Sequence, residues 1–125
     1  MKNIILIILV LLSSCGFSQR QNNWRDGHVE LDSIPLTAYE YKERGKRKSA
    51  NGDKQGAIDD YTRAIMVEPT YDTAYHNRGV VRADIGYYKD AILDYTKAIE
   101  INPHFAASYF SRANAKVDLR DNKGA

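Results

Sequence analysis

The sequence predicts an all-α fold in which antiparallel helix pairs stack side by side. Three observations support this prediction: a repeat of 34 residues, helical segments of about 14 residues, and glycine or proline where a segment must end. A repeat of this length corresponds to one helix pair per copy, and one pair cannot bury its apolar face alone. We therefore expect the fold to be stabilised by the stacking of neighbouring pairs.

Residues 38–71 and residues 72–105 are two copies of the repeat, and they match at twelve of 34 positions without a gap. A third, incomplete copy over residues 106–125 keeps Tyr109 and Arg112 in register. The matched positions of the two full copies are Tyr41/Tyr75, Arg44/Arg78, Gly45/Gly79, Gly52/Gly86, Ala57/Ala91, Ile58/Ile92, Asp60/Asp94, Tyr61/Tyr95, Thr62/Thr96, Ala64/Ala98, Ile65/Ile99 and Pro69/Pro103.

Each helix is predicted from the residues that end it. Gly52 and Gly86 suit the left-handed backbone at a helix C-terminus, and Pro69 and Pro103 push the residues before them out of helical geometry. The predicted helices are Ala38–Asn51, Asp53–Val67, Tyr71–Ile85, Tyr87–Ile101 and Phe105–Leu119. Residues 121–125 correspond to the start of a further helix, so we expect a fragment of a longer repeat protein; alternatively, the fifth helix closes the stack.

Two charged positions recur together in the full copies. An arginine and an aspartate stand 16 residues apart in each, as Arg44 with Asp60 and as Arg78 with Asp94. We predict that each pair forms a charge-assisted hydrogen bond between the two helices of its copy. Gly45 and the glycine at the same position of the second copy would permit the paired helices to approach closely, and tyrosines would fill the remaining space.

The spacing resembles the tetratricopeptide repeat. The second copy reads Tyr75-x-x-Arg78-Gly79, Ala91-x-x-x-Tyr95-x-x-Ala98, Pro103, and the first reads Tyr41-x-x-Arg44-Gly45, Ala57-x-x-x-Tyr61-x-x-Ala64, Pro69. The arginines, with Arg112 of the third copy, depart from the leucine that is common there. The resemblance implies a right-handed α–α superhelix, a tetratricopeptide repeat solenoid of antiparallel helix pairs, whose first helices line a concave groove for an extended peptide or a partner helix.

Carried over residue by residue, the resemblance assigns eight residues to a partner-binding groove: Lys42, Lys46, Thr73, His76, Asn77, Val80, Phe110 and Asn114. Lys42 and Asn77 match a known clamp for a C-terminal carboxylate, whereas Lys46 stands where that clamp has asparagine. Ala107 and Ser111 replace its basic residues in the third copy. The expected ligand is instead a peptide with an acidic end and one apolar anchor near Val80 and Phe110.

Residues 1–14 are predicted to be a signal peptide. The nine apolar residues from Ile4 to Leu12 are too few to span a bilayer. The run Leu12-Ser13-Ser14-Cys15 resembles the bacterial lipobox, which implies cleavage before Cys15 and acylation of that residue as a membrane anchor. Residues 15–37 would then be a lipidated, flexible linker. The alternative is a plain secretory signal that is cleaved a few residues later.

Composition argues against several other functions. The 18 Lys and Arg residues against 16 Asp and Glu leave a net charge of +2, which disfavours nucleic-acid binding. A single cysteine excludes an intrachain disulfide, and His28, His76 and His104 lack metal-ligand spacing. With no phosphate loop or nucleophile elbow, we predict no enzyme, no cofactor and no metal.

The sequence therefore predicts a protein–protein interaction scaffold of the bacterial cell envelope. The alternative is the docking or sensory part of a longer signalling protein or enzyme that continues beyond residue 125. The identity of the partner and the oligomeric state are left open by the sequence.

Overall fold

The structure, a computed structural model, describes residues 34–124, which form five α-helices joined by short turns. The helices are α1 (Ala38–Ala50), α2 (Lys54–Val67), α3 (Asp72–Asp84), α4 (Tyr88–Ile101) and α5 (Ala106–Gly124). Each helix contacts the next one in sequence, and α1 and α5 also contact α3. The predicted all-α stack of helix pairs is confirmed for these residues. The predicted signal peptide, Cys15 and the linker as far as residue 33 lie outside them.

Side-chain caps define the starts of the first two helices. The Thr37 hydroxyl accepts a hydrogen bond from the Glu40 backbone N–H at 3.2 Å, and the Glu40 carboxylate accepts one from the Thr37 N–H at 2.8 Å. This reciprocal capping box satisfies two backbone donors that the first turn leaves unpaired. Asp53 caps α2 through the N–H of Gly56 at 2.9 Å. The helices therefore begin within one residue of their predicted starts.

Glycine and proline end the helices as expected. Gly52 and Gly86 adopt φ values of +88° and +86°, a left-handed backbone that other residues disfavour. Glu68 and Asn102, which precede the prolines, have extended backbones that end α2 and α4.

The prediction for the end of the fifth helix was wrong. It placed a break after Leu119, whereas α5 continues without interruption through Gly124. The register of Gly52 and Gly86 falls on Arg120 in the third copy. Because an arginine disfavours the left-handed conformation, the stop signal of the earlier copies is missing here.

Small residues and tyrosines bring the paired helices together. A methyl group placed on Gly79 would lie 2.8 Å from Cε1 of Tyr95, and one on Gly45 would lie 3.0 Å from Cε1 of Tyr61. Both tyrosines are buried. Each glycine therefore leaves room for a tyrosine ring from the partner helix, as the sequence predicted.

The predicted arginine–aspartate pairs are present in both full copies. Arg44 donates to Asp60 through Nε at 2.8 Å and Nη2 at 2.6 Å, and Arg78 donates to Asp94 at 3.0 and 2.7 Å. A second cation joins each carboxylate: Lys48 lies 2.9 Å from Asp60, and the equivalent residue of the second copy, Arg82, lies 2.8 Å from Asp94. These cations balance carboxylates that are almost fully buried, which would otherwise be costly.

Candidate functional site

A groove of about 620 Å³ lies between α1 and α3. The first helices of the two full copies contact each other, and both contribute residues to the groove. Five of the eight residues predicted to bind a partner line this groove: Lys42, Lys46, Thr73, Asn77 and Val80. The structure therefore brings these five residues of the predicted site together.

Lys42 is held in position on the α1 wall. Its ammonium forms a salt bridge of 2.5 Å with Glu43 and lies 4.3 Å from the ring centroid of Tyr39. Burial lowers the pKa of Lys42, but hydrogen bonds with Glu43 and Tyr71 outweigh this effect and leave the pKa above its ordinary value. Lys42 therefore stays charged at neutral pH.

The two walls of the groove differ in chemistry. The α1 wall carries the ammonium groups of Lys42 and Lys46, whereas the α3 wall carries the hydroxyl of Thr73, the amide of Asn77 and the apolar side chain of Val80. Val80 also packs against the core cluster that contains Tyr95. The Glu43 carboxylate also lines the groove, beside Lys42. The groove thus offers two cations, one of them paired with a carboxylate, opposite neutral hydrogen-bonding groups, with an apolar surface further along α3.

Sequence reasoning missed part of the groove lining. Lys54, at the start of α2, lines the groove and its ammonium contacts the Ser49 hydroxyl at 3.3 Å and the Asp84 carboxylate at 3.2 Å. The register argument considered only first helices, so it could not include a residue of α2. The only signal in the sequence was the position of Lys54 directly after the turn at Gly52 and Asp53.

His76 lies away from this groove, against α5. Its Nδ1 is 2.8 Å from the hydroxyl of buried Ser108, and its ring lies 4.8 Å from that of Phe105 and 5.6 Å from that of Tyr95, measured between centroids. Burial lowers the pKa of His76, and the charge of Asp72 opposes this shift only in part. His76 is therefore a neutral residue at pH 7 that joins α3 to α5, and its predicted binding role stays a prediction.

Phe110 and Asn114 lie one helix further along the stack, on α5. Both residues are exposed, and Phe110 is 70% accessible to solvent. Neither lines the α1–α3 groove. They continue the same registers as Lys42 and Lys46, each 68 residues later.

Comparisons with known proteins assign the fold to a family. A tetratricopeptide repeat model matches residues 73–105. The TPR2B domain of yeast Sti1, solved in a complex with pHsp70, is 30% identical, with 70% of each chain covered and a TM-score of 0.65. The chain belongs to the tetratricopeptide repeat family.

Two further solved structures resemble this tetratricopeptide repeat protein. MamA is 35% identical over 69% of this chain with a TM-score of 0.65, and the match spans 48% of MamA, about half its length. The second tetratricopeptide repeat domain of Spaghetti (RPAP3), bound to the HSP90 peptide SRMEEVD, is 26% identical over 70% of this chain and 81% of its own, with a TM-score of 0.67. Among curated protein sequences, none matches the chain. The fold predicted from the sequence, a tetratricopeptide repeat superhelix, is confirmed.

The groove of this tetratricopeptide repeat protein carries two ammonium groups that can bind an anion, and one of them, Lys42, is paired with Glu43 in the free protein. Ammonium groups donate charge-assisted hydrogen bonds to carboxylates, and the opposite hydroxyl and amide supply further donors. Within residues 34–124 there is no group of three or more His, Cys, Asp or Glu side chains that could bind a metal ion. None of the helices in the same range has the length and apolar character that crossing a bilayer requires.

Proposed function

We propose that this protein is an interaction scaffold that binds a partner peptide in the α1–α3 groove, and that the peptide has an acidic end. The observation that carries the proposal is the convergence of Lys42 and Lys46 from α1 with Asn77 from α3 around one concave space. Peptide-binding grooves combine a concave shape with a few placed polar groups, and this arrangement offers both.

Charge supports an acidic ligand. Lys42 is already positioned by Tyr39 and Tyr71, so little side-chain entropy is lost when it contacts a ligand. Lys46 is exposed one helical turn further along the same wall. Carboxylates spaced along an extended peptide can contact both ammonium groups in turn.

An apolar anchor would bind beyond the cationic part of the groove. Val80 follows Asn77 on α3, and Phe110 presents its ring to solvent on α5. Burial of one large apolar side chain against such surfaces contributes about 1.5–3 kcal/mol. The peptide would therefore run from an acidic end near α1 towards an apolar residue near α5.

A related domain binds a peptide of this chemistry. The peptide bound to the second repeat domain of Spaghetti, SRMEEVD, combines acidic residues with methionine and valine. The similarity of the two domains supports an acidic peptide as the class of ligand for this protein.

Lys42→Glu should weaken binding of a fluorescent acidic peptide about tenfold or more, because a cation of the groove is replaced by a carboxylate that repels the acidic residues of the peptide. Fluorescence anisotropy measures the affinity. The matched control is Lys97→Glu, which makes the same charge change at an exposed site on α4. Equal losses for both variants would show that only net charge matters and would contradict the groove assignment.

Phe110→Ala tests the apolar end of the ligand. It should weaken a peptide that carries a leucine or methionine after its acidic residues, and should leave an all-acidic peptide unaffected. The exposed Val67→Ala on α2 is the control, because it also removes an exposed apolar group outside the groove. If the peptide with the leucine or methionine bound the Phe110 variant as tightly as the wild type, Phe110 would not be the apolar anchor.

We further propose that the protein is anchored in the bacterial cell envelope by acylation of Cys15. The support is the run Leu12-Ser13-Ser14-Cys15, together with the apolar stretch before it. Several acyl chains on one residue would hold a protein on a membrane firmly. Metabolic labelling with an alkyne fatty acid should mark the wild type and not Cys15→Ser. Labelling of both proteins, or of neither, would contradict the anchor.

A further inference from the structure

Glu43 is a carboxylate inside a groove that otherwise attracts anions. It lines the groove beside Lys42 and Lys46, and its Oε1 lies 2.5 Å from the Lys42 ammonium. We propose that Glu43 is an internal competitor that occupies Lys42 in the free protein and so sets which acidic ligands bind. This inference rests on the proposed function, because it assigns a specificity role within the same groove.

The contacts of Glu43 are directed at the binding cation. Its hydrogen bond with Lys42 lowers the pKa of Glu43 below its ordinary value, so the side chain is ionised at neutral pH. The capping interaction that starts α1 belongs to Glu40, three residues earlier, and does not involve Glu43. Glu43 can therefore change without loss of the helix cap.

The repeat register singles out the first copy. The position of Glu43 is taken by Asn77 in the second copy and by Ser111 in the third. Both of these side chains are neutral and can donate hydrogen bonds, so neither repels an anion. The carboxylate is thus confined to the one copy whose first helix also provides Lys42 and Lys46.

An incoming carboxylate must share Lys42 with Glu43 or displace it. Sharing places two like charges beside one ammonium, and displacement leaves Glu43 unpaired next to the ligand. A peptide with a single acidic residue gains little from this exchange. A peptide with two or more acidic residues also reaches Lys46 and has a net gain, so Glu43 selects ligands with clustered negative charge.

The decisive variant is Glu43→Gln, which keeps the size of the side chain and removes its charge. Two peptides that differ only in carrying one or three acidic residues are titrated by anisotropy against both proteins. The single-acid peptide should bind the variant about two- to fivefold more tightly, which is the range of factors that one exposed ion pair contributes. The three-acid peptide should gain less, so that selectivity between the two peptides falls.

Glu100→Gln on α4 is the matched control, because it removes an exposed carboxylate outside the groove. Equal gains for the two variants, or unchanged selectivity with Glu43→Gln, would overturn the role of Glu43. Failure of the proposed function is distinguishable: neither peptide would then bind the wild type, Glu43→Gln or Glu100→Gln. Unchanged melting temperatures confirm that the variants are folded.

Discussion

Arg78 joins three helices through one guanidinium group. It forms two hydrogen bonds with Asp94 of α4, donates to the Thr62 hydroxyl of α2 at 3.1 Å, and lies 5.7 Å from the centroid of the Tyr75 ring. In the third copy Arg112 repeats two of these contacts, with Thr96 at 3.2 Å and the Tyr109 ring at 5.6 Å. The arginine that replaces the family's usual leucine thus links successive copies as well as the helices of one copy.

Arg78→Met should lower the free energy of unfolding by about 3 kcal/mol, because it removes one of the two cations that balance a buried carboxylate. Urea denaturation followed by circular dichroism measures the change. Arg63→Met is the control, since Arg63 is exposed and lies 4.0 Å from Asp60. An equal effect of the two substitutions would contradict a structural role for Arg78.

At the scale of the helix, one backbone position decides where a first helix ends. Gly52 and Gly86 turn the chain with a positive φ, whereas Arg120 at the same register lets α5 continue. Neither glycine has an atom near enough to contact an added methyl group, so conformation alone explains the residue type. The same 34-residue repeat therefore gives two short first helices and one long one.

Gly86→Ala should destabilise the protein by about 1 kcal/mol, since alanine must adopt the left-handed backbone. Gly86→Asn should cost less, because asparagine tolerates that conformation better. Thermal unfolding of the three proteins measures the order of stability. An alanine variant as stable as the wild type would mean that the turn can rearrange without the positive φ.

At the scale of the whole repeat stack, the two end helices present different outer surfaces. At the registers where α3 buries Ala74 and Val81, α1 has Glu40 and Arg47, so its outer side is polar. On α5, Phe110 and Val117 are more than half exposed. The described stack is therefore polar at α1 and partly apolar at α5.

Amide hydrogen exchange should show this asymmetry. The amides of α3, which contacts each of the other four helices, should exchange slowest. The last two turns of α5 should exchange fastest, since they are mostly exposed and lie beyond the buried Ala115. Mass spectrometry of peptides across the chain measures the rates. Slow exchange at the end of α5 would show that this segment is protected by contacts outside the described fold.

The sequence by itself determined the helix pairs, most of their ends and the arginine–aspartate bridges. These features depend on spacing along one helix or between the two helices of a copy. The same spacing occurs in both full copies of the 34-residue repeat, so it can be recognised in the sequence. The resemblance of both copies to one family supplied the register of the groove.

Only the tertiary structure decided the contacts between different copies. It placed His76 against Ser108, Lys54 against Asp84, and Arg78 against Thr62, pairs that no local pattern joins. It also showed that Lys42 is paired with Glu43 inside the groove. The physical reason is that a long polar side chain has several partners within reach, and the packing angle between neighbouring helix pairs selects among them.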